Sequence, residues 1–253
     1  MGKLIKYEFR KQLLSKIVVA FVIAGLEVFF FLGILTSNGD WIGTALALFI
    51  MAAVFSLIYF SFEAIITYSN DLKTKQSYMI FLTPCNMFQV VGAKLITTIV
   101  QIVLVGSIYL VVGVLDGLVV VAKYGTIKQV IEVIRTFFDT LSGVEIRLTE
   151  IIFLIMMFLV TWLVFVAMAM FAITLSTTVL SNRKFKGVLS IALYFFIDWL
   201  VMKVASLVMP TDMMEGEYLI VNSEAWAYIG VYAVALVLCY IGTSLLLEKK
   251  VSV

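Results

Sequence analysis

The chain has 253 residues, of which 63% are hydrophobic and 13% charged, and its formal net charge is +2. Soluble domains carry about 25% charged residues, so this composition excludes an ordinary water-soluble protein. The chain holds no histidine and only two cysteines, which excludes zinc sites of the usual His/Cys kind and Ser–His or Cys–His catalysis. It also contains no G-x-x-x-x-G-K-[ST] loop and no G-x-G-x-x-G turn. We therefore expect no enzyme, no metal and no cofactor bound by this chain, and any ATP it uses must be bound by another polypeptide.

Six long apolar runs predict membrane-spanning helices, because about 20 helical residues cross a hydrocarbon core of about 30 Å. The runs lack the alternation of barrel strands. The predicted fold class is thus all-α, a polytopic membrane protein with six transmembrane helices and a single transmembrane domain over residues 1–253. The predicted spans are Ile17–Leu35, Ile42–Ile66, Leu95–Val121, Ile151–Leu175, Gly187–Val208 and Ala225–Leu247.

The charges of the connecting segments predict that both termini face the cytoplasm. With the N-terminus inside, the inner segments hold 13 basic and 3 acidic residues, and the outer segments hold 4 basic and 9 acidic ones. Positive residues in short loops set the orientation of membrane proteins. We therefore predict an N-in, C-in topology.

The N-terminal segment 1–16 predicts an interfacial helix ahead of the first span. Ile5, Phe9 and Leu13 form an apolar i, i+4, i+8 stripe, and basic residues flank it. Apolar burial and attraction to anionic lipid would hold such a helix at the inner interface. The alternative is a basic flank that only sets topology.

The inner loop Thr67–Lys94 is longer than a topological connection needs. Ser69 or Asn70 can cap a short helix, Pro84 ends it, and Asn86 can cap the run into the third span. The pattern of helix, break and helix predicts a surface that contacts another molecule.

The outer segment 123–150 contains the clearest amphipathic pattern outside the spans. Its apolar residues follow helical spacing, at Ile127, Val130, Ile131, Ile134, Phe138 and Leu141. We expect a helix that either covers the outer ends of the spans as a structural lid or acts as a substrate gate.

Five ionisable residues fall within the predicted spans: Glu27, Glu63, Asp116, Asp198 and Lys203. A charge at mid-membrane costs at least about 2.5–3.5 kcal/mol, so it normally faces a partner or a watery cavity. Glu27 and Asp198 lie nearest the middle of their spans, Glu63 and Asp116 lie near span ends where they can reach water, and Lys203 can extend its ammonium outward. Two interpretations of Glu27, Glu63 and Asp198 stay open, a translocation path and hydrogen bonding between helices. A third, proton coupling, has no relay in the sequence beyond these scattered acids.

The layout resembles the membrane subunits of ATP-binding-cassette exporters of the six-helix, type V class. Those subunits have an elbow helix before the first span and a coupling helix in the long loop between spans two and three. The loop motif "D-L-x(10)-L-T-P-x(7)-G-x-K" is similar to theirs, and it comprises Asp71-Leu72-Lys73, Phe81-Leu82-Thr83-Pro84 and Gly92-Ala93-Lys94. In contrast to some relatives, the larger outer segment lies between spans three and four.

The resemblance implies a permease that pairs with a second permease chain, identical or related, and with two ATPase subunits that carry ATP and Mg. It implies a bacterial plasma membrane, no nucleic acid partner, and a hydrophobic or amphipathic cargo such as a peptide or drug. It places Glu63 and Asp198 near the central path. The residues expected to couple to the ATPase are Asp71, Leu72, Lys73, Tyr78, Phe81, Leu82 and Pro84.

Two other functions remain open from the sequence. One is an ion-gradient-driven secondary transporter or channel without an ATPase, which would favour inverted repeats and broken helices that we do not find. The other is a membrane scaffold that transports nothing.

Overall fold

The computed structural model describes residues 2–73, 86–124, 148–179, 186–208 and 223–251. These ranges form seven α-helices and contain no strand. The helices are α1 (Gly2–Lys11), α2 (Leu13–Thr36), α3 (Gly39–Lys73), α4 (Met87–Tyr124), α5 (Leu148–Val179), α6 (Lys186–Val208) and α7 (Ser223–Val251). Helices α2 to α7 are each long and apolar enough to cross a membrane. The predicted all-α, polytopic fold class is therefore confirmed, whereas most of the amphipathic segment 123–150 lies outside the described residues.

The distribution of side chains is the reverse of that in a water-soluble protein. Large apolar side chains point outward, as at Leu14 and Leu207, which are 76% and 87% exposed. Small polar side chains such as Thr174 and Ser244 are fully buried. This arrangement suits lipid, where outward apolar groups are solvated and polar groups must find partners between helices.

The predicted interfacial helix over residues 1–16 is too long. Helix α1 ends at Lys11, and Gln12 leaves helical geometry with φ −101° and ψ 17° before α2 begins at Leu13. Leu13 and Leu14 are 50% and 76% exposed, so they extend the apolar surface of the first span. Because Gln12 is buried and hydrogen-bonded, the chain turns at this polar residue and not after the basic flank.

Helices α2 and α3 form an antiparallel hairpin with a tight turn. Ser37 adopts φ 52°, in the left-handed region, and the N–H groups of Ser37 and Asn38 donate to the carbonyls of Ile34 and Gly33, both at 3.2 Å. This is the Schellman arrangement that ends many helices. A Cβ on Gly33 would lie 3.1 Å from the backbone nitrogen of Ile42, so glycine lets the two helices approach closely here.

Contacts group the chain into two compact units. The first unit comprises Met1–Ala64 with Ile96–Ile131, and the second comprises Ile65–Leu95 with Glu132–Val253. The first unit has an apolar core around Phe30, Phe49 and Phe60.

In the second unit, α5 packs against both α6 and α7, and α6 also packs against α7. Phe153 and Ile229 form a small apolar cluster there. The last residues of α3 and the first of α4 belong to this second unit, although the rest of both helices belongs to the first. The two ends of the predicted coupling loop therefore lie in the same unit as the last three spans.

Candidate functional site

The predicted coupling loop begins and ends inside long helices. Helix α3 continues to Lys73, so the predicted helix start at Ser69 or Asn70 is wrong. The reason is that the second span extends without a break through this polar stretch. Helix α4 begins at Met87, and the Asn86 carboxamide accepts a hydrogen bond from the backbone N–H of Phe88 at 3.3 Å. The predicted cap at Asn86 is thus confirmed, and residues 74–85, between the two helices, lie outside the described residues.

Four of the predicted coupling residues lie outside the described residues: Tyr78, Phe81, Leu82 and Pro84. Asp71 and Leu72 lie in the last turn of α3, and both are half-buried. The backbone of Lys73 completes that turn.

Asp71 is bound by a lysine from the other end of the loop. The ammonium of Lys94 lies 2.5 Å from the Asp71 carboxylate, and the two side chains are only 6% and 13% exposed, respectively. Removing one partner of a buried ion pair typically costs about 3–5 kcal/mol, because the other charge is left without compensation. This pair fixes the end of α3 against the start of α4 and closes the base of the loop.

Two further contacts attach the loop ends to other spans of the second unit. The Tyr68 hydroxyl is 2.5 Å from that of Thr174 on α5, and Tyr68 is only 2% exposed. The Tyr240 hydroxyl of α7 donates to the Phe88 carbonyl at 2.8 Å, and the two rings pack edge to face with centroids 6.0 Å apart. We call Tyr68, Asp71, Phe88 and Lys94 the loop base. Through these contacts the loop base is joined to α5 and α7.

The first unit contains a ladder of polar contacts between α4 and the segment formed by Gln12 and α2. Gln101 Nε2 donates to Gln12 Oε1, Glu27 and Asp116 share a hydrogen bond, and the Lys123 ammonium donates to the Ile34 carbonyl. In each pair the α4 residue follows its partner by 89 positions in the chain. A constant offset means that the two segments run parallel and present one face to each other. The three contacts thus fix the register of Gln12 and α2 relative to α4 at three points along the two segments.

The contact between Glu27 and Asp116 has a chemical consequence. Asp116 is 3% exposed, and a hydrogen bond between two carboxyl groups requires that one of them carries a proton. The pair therefore brings two carboxyl groups together between α2 and α4, and such a contact is favourable only when at least one of them is protonated.

Glu63 lies at a second polar contact in the first unit. It accepts a hydrogen bond from the Ser15 hydroxyl, and the Tyr59 hydroxyl donates to Ser15 at 3.3 Å. The ammonium of Lys16 attracts Glu63 electrostatically, but it donates to the Phe9 carbonyl at 3.1 Å and lies 3.8 Å from the centre of the Phe9 ring. Glu63 is thus directly bound by a neutral hydroxyl.

The structure puts Glu27 and Glu63 in the first unit and Asp198 in the second. Asp198 is half-buried on α6 and acts electrostatically on Tyr194, one turn away, and on Tyr232 of α7. Tyr232 in turn accepts a hydrogen bond from Tyr228 at 2.9 Å. Lys203 is exposed on α6.

Sequence reasoning missed the neutral polar residues that complete these contacts. Gln12, Ser15, Gln101 and Thr174 are all buried, and each bonds a residue far away in the chain. Glutamine within an apolar run is the signal that was overlooked, because hydrocarbon leaves its amide no other partner than protein. Among the described residues, no cluster of three His, Cys, Asp or Glu side chains could hold a metal ion.

Comparisons with protein-family models, with characterised proteins and with solved structures give no match for this chain. The function must therefore be argued from the fold and from these contacts.

Proposed function

We propose that the chain is the permease subunit of an ATP-binding-cassette exporter, and that it transports a hydrophobic or amphipathic cargo such as a peptide or drug. The loop base is the observation that carries the proposal. A loop that only connects two spans does not need a buried ion pair and two further contacts to other helices. A loop that receives force from an ATPase does, because it must move its attached helices together.

In this mechanism a separate ATPase, with its ATP and Mg, binds the cytoplasmic loop through residues 74–85, including Tyr78, Phe81, Leu82 and Pro84. The Asp71 carboxylate, whose partner is Lys94, transmits force and does not itself grip the ATPase. Displacement of the loop reaches α5 through Tyr68 and α7 through Phe88. Leu72 and Lys73, in the last turn of α3, move with it.

The remaining parts of the proposal follow the same family mechanism. A second permease chain completes the path, both termini face the cytoplasm, and the membrane is a bacterial plasma membrane. Helix α1 is the elbow helix of this arrangement. The acidic side chains that line the translocation path are Glu27, Glu63 and Asp198. The segment 123–150 covers or gates the outer side.

The test is purification from the native host followed by reconstitution in vesicles. We expect an ATPase to co-purify and its ATP hydrolysis to depend on this chain. The double variant Asp71→Ala, Leu72→Ala should still hydrolyse ATP but should export less cargo per ATP, measured with a panel of amphipathic peptides and drugs. Lys203→Met, which changes an exposed charge on α6, is the matched control. Unchanged transport by the double variant, or the absence of any associated ATPase, would contradict the proposal.

A secondary transporter driven by protons is a second candidate, because the carboxyl groups of Glu27 and Asp116 interact within the first unit and a contact of this kind can hold a proton. It predicts cargo movement in vesicles that contain this chain alone, driven by an imposed pH gradient without ATP. Glu27→Gln should abolish that movement while the protein remains folded. Movement that requires ATP would reject this candidate.

A further inference from the structure

Two buried oxygen atoms near Ser15 have no hydrogen-bond donor. They are Oε2 of Glu63 and Oε1 of Gln101, and neither finds a partner among the described protein atoms. Gln101 is only 1% exposed. Leaving a buried polar atom without a partner costs about 1–3 kcal/mol, so native proteins rarely do so without a ligand or water at the site.

The side chains that carry the two oxygens are bonded to neighbouring positions of the chain. Gln101 is bonded to Gln12 and Glu63 is bonded to Ser15, three residues further on. Gln12 immediately precedes α2 and Ser15 is the third residue of that helix, so the two positions are about one helical turn apart. We call Gln12, Ser15, Tyr59, Glu63 and Gln101 the acceptor site, because its unused groups are a carboxylate oxygen and an amide carbonyl.

The depth of the acceptor site indicates where its ligand comes from. Helix α2 has 24 residues, so it is about 36 Å long, and Ser15 lies about 14 Å from its midpoint. Glu63 lies about 11 Å from the midpoint of the 34-residue span Gly39–Leu72. Both values fall close to the edge of a hydrocarbon core of about 30 Å, on the side of the membrane where α1 lies. The head groups of lipids and of other amphiphiles lie at this boundary.

A ligand for this site must donate hydrogen bonds and carry positive charge. Both unused atoms are acceptors, and no cation among the described residues contacts Glu63 directly, since Lys16 is held by Phe9. A primary ammonium has three N–H donors and one charge, which match these requirements. Tyr59 is 49% exposed, so the ring beside Ser15 borders the surface from which an amphiphile would arrive.

We propose that the acceptor site binds the primary ammonium group of an amphiphile at the membrane boundary. Such a group belongs either to a cationic cargo or to the head group of phosphatidylethanolamine, and both present the same chemistry. The proposal goes beyond export and does not depend on it, because binding requires no ATPase.

The test uses the full chain in nanodiscs of phosphatidylcholine, a lipid without N–H donors in its head group. Dodecylammonium is titrated by calorimetry, and empty nanodiscs provide the partition background. We expect saturable binding to the protein, weakened about 10- to 100-fold for dodecyltrimethylammonium, which has the same charge and chain but no donor. Equal binding of the two probes, or no saturable binding of dodecylammonium, would overturn the proposal.

Variants identify the residues. Glu63→Gln and Gln101→Met should each weaken dodecylammonium binding at least about tenfold, whereas Glu248→Gln, at an exposed carboxylate in the second unit, should leave it unchanged. Lys16→Met should strengthen binding, because it removes a nearby like charge. Circular dichroism and gel filtration verify that each variant is folded. If folded Glu63→Gln binds the probe as the wild type does, or if sodium binds and dodecylammonium does not, the proposal fails.

A last arm distinguishes the two sources of the ammonium group. Native mass spectrometry of protein from nanodiscs with equal amounts of phosphatidylethanolamine and phosphatidylcholine reports which lipid is retained. Retention of phosphatidylethanolamine by the wild type but not by Glu63→Gln would identify the head group as the ligand. Binding of dodecylammonium without such retention would identify a free amphiphile. Both results support the ammonium site, and the calorimetry above decides whether it exists.

Discussion

Replacement of Gly242 by alanine tests how closely α5 and α7 approach each other. A Cβ at position 242 would lie 2.7 Å from one ring atom of Phe171 and 3.3 Å from two others. The ring must therefore move. Gly230 lies on the same helix and provides a matched control, because a Cβ there would have no atom of another residue within 4 Å.

The two substitutions differ in one term only. Alanine in place of a helical glycine gains about 1 kcal/mol through helix propensity at both positions. At position 242 the displacement of a packed ring costs about 1–3 kcal/mol. We therefore expect Gly242→Ala to destabilise the protein by up to about 2 kcal/mol and Gly230→Ala to stabilise it by up to about 1 kcal/mol.

Thermal unfolding in detergent, followed by circular dichroism, measures the difference. At about 2–4 °C per kcal/mol, the Tm of Gly242→Ala should lie several degrees below that of Gly230→Ala. Adding Phe171→Leu to Gly242→Ala should recover part of the loss, since the smaller side chain makes room for the methyl group. A Gly242→Ala protein as stable as Gly230→Ala would refute the close approach of α5 and α7 at this point.

Three further predictions concern single contacts, each checked by the same melting experiment. Asp71→Asn and Lys94→Met should each cost about 3 kcal/mol. The double variant Asp71→Asn, Lys94→Met should be more stable than the sum of these two single losses predicts, and strict additivity would rule out the ion pair. Ser37→Gly should raise stability by up to about 1 kcal/mol, because glycine adopts φ 52° without the strain of a side chain; a loss would show that the turn is not left-handed. The stability of Glu27→Gln should stay within about 1 kcal/mol of the wild type, since the amide can donate to Asp116 as a protonated carboxyl does. Glu27→Ala should cost about 1–3 kcal/mol more. Equal stability of the two variants would exclude the shared hydrogen bond.

The local parts of the structure could be predicted from the sequence. An apolar run of about 20 residues must become a spanning helix in lipid, whatever its neighbours do. The cap at Asn86 follows from a polar side chain just before such a run. Element ends that depend on distant partners were predicted less well, as at α1, where the buried contact between Gln12 and Gln101 sets the turn.

The candidate sites could be predicted only as separate residues. Glu27 and Asp116 were recognised individually, and so were Asp71 and Lys94, but nothing in the sequence pairs them. The spanning helices are apolar on nearly every side, so their pattern does not indicate which face meets a neighbour. For the same reason the sequence pattern does not predict that residues of α4 meet partners 89 positions earlier in the chain.

By itself, therefore, the sequence determined that this protein resides in a lipid bilayer, that it is all-α and that it has six spans. These properties depend only on the transfer of apolar segments into lipid. The tertiary structure alone decided which polar groups meet: Asp71 with Lys94, Glu27 with Asp116, and Glu63 with Ser15. Those pairings depend on the rotation and register of helices packed side by side, and close packing and hydrogen bonding fix both only after the helices have come together.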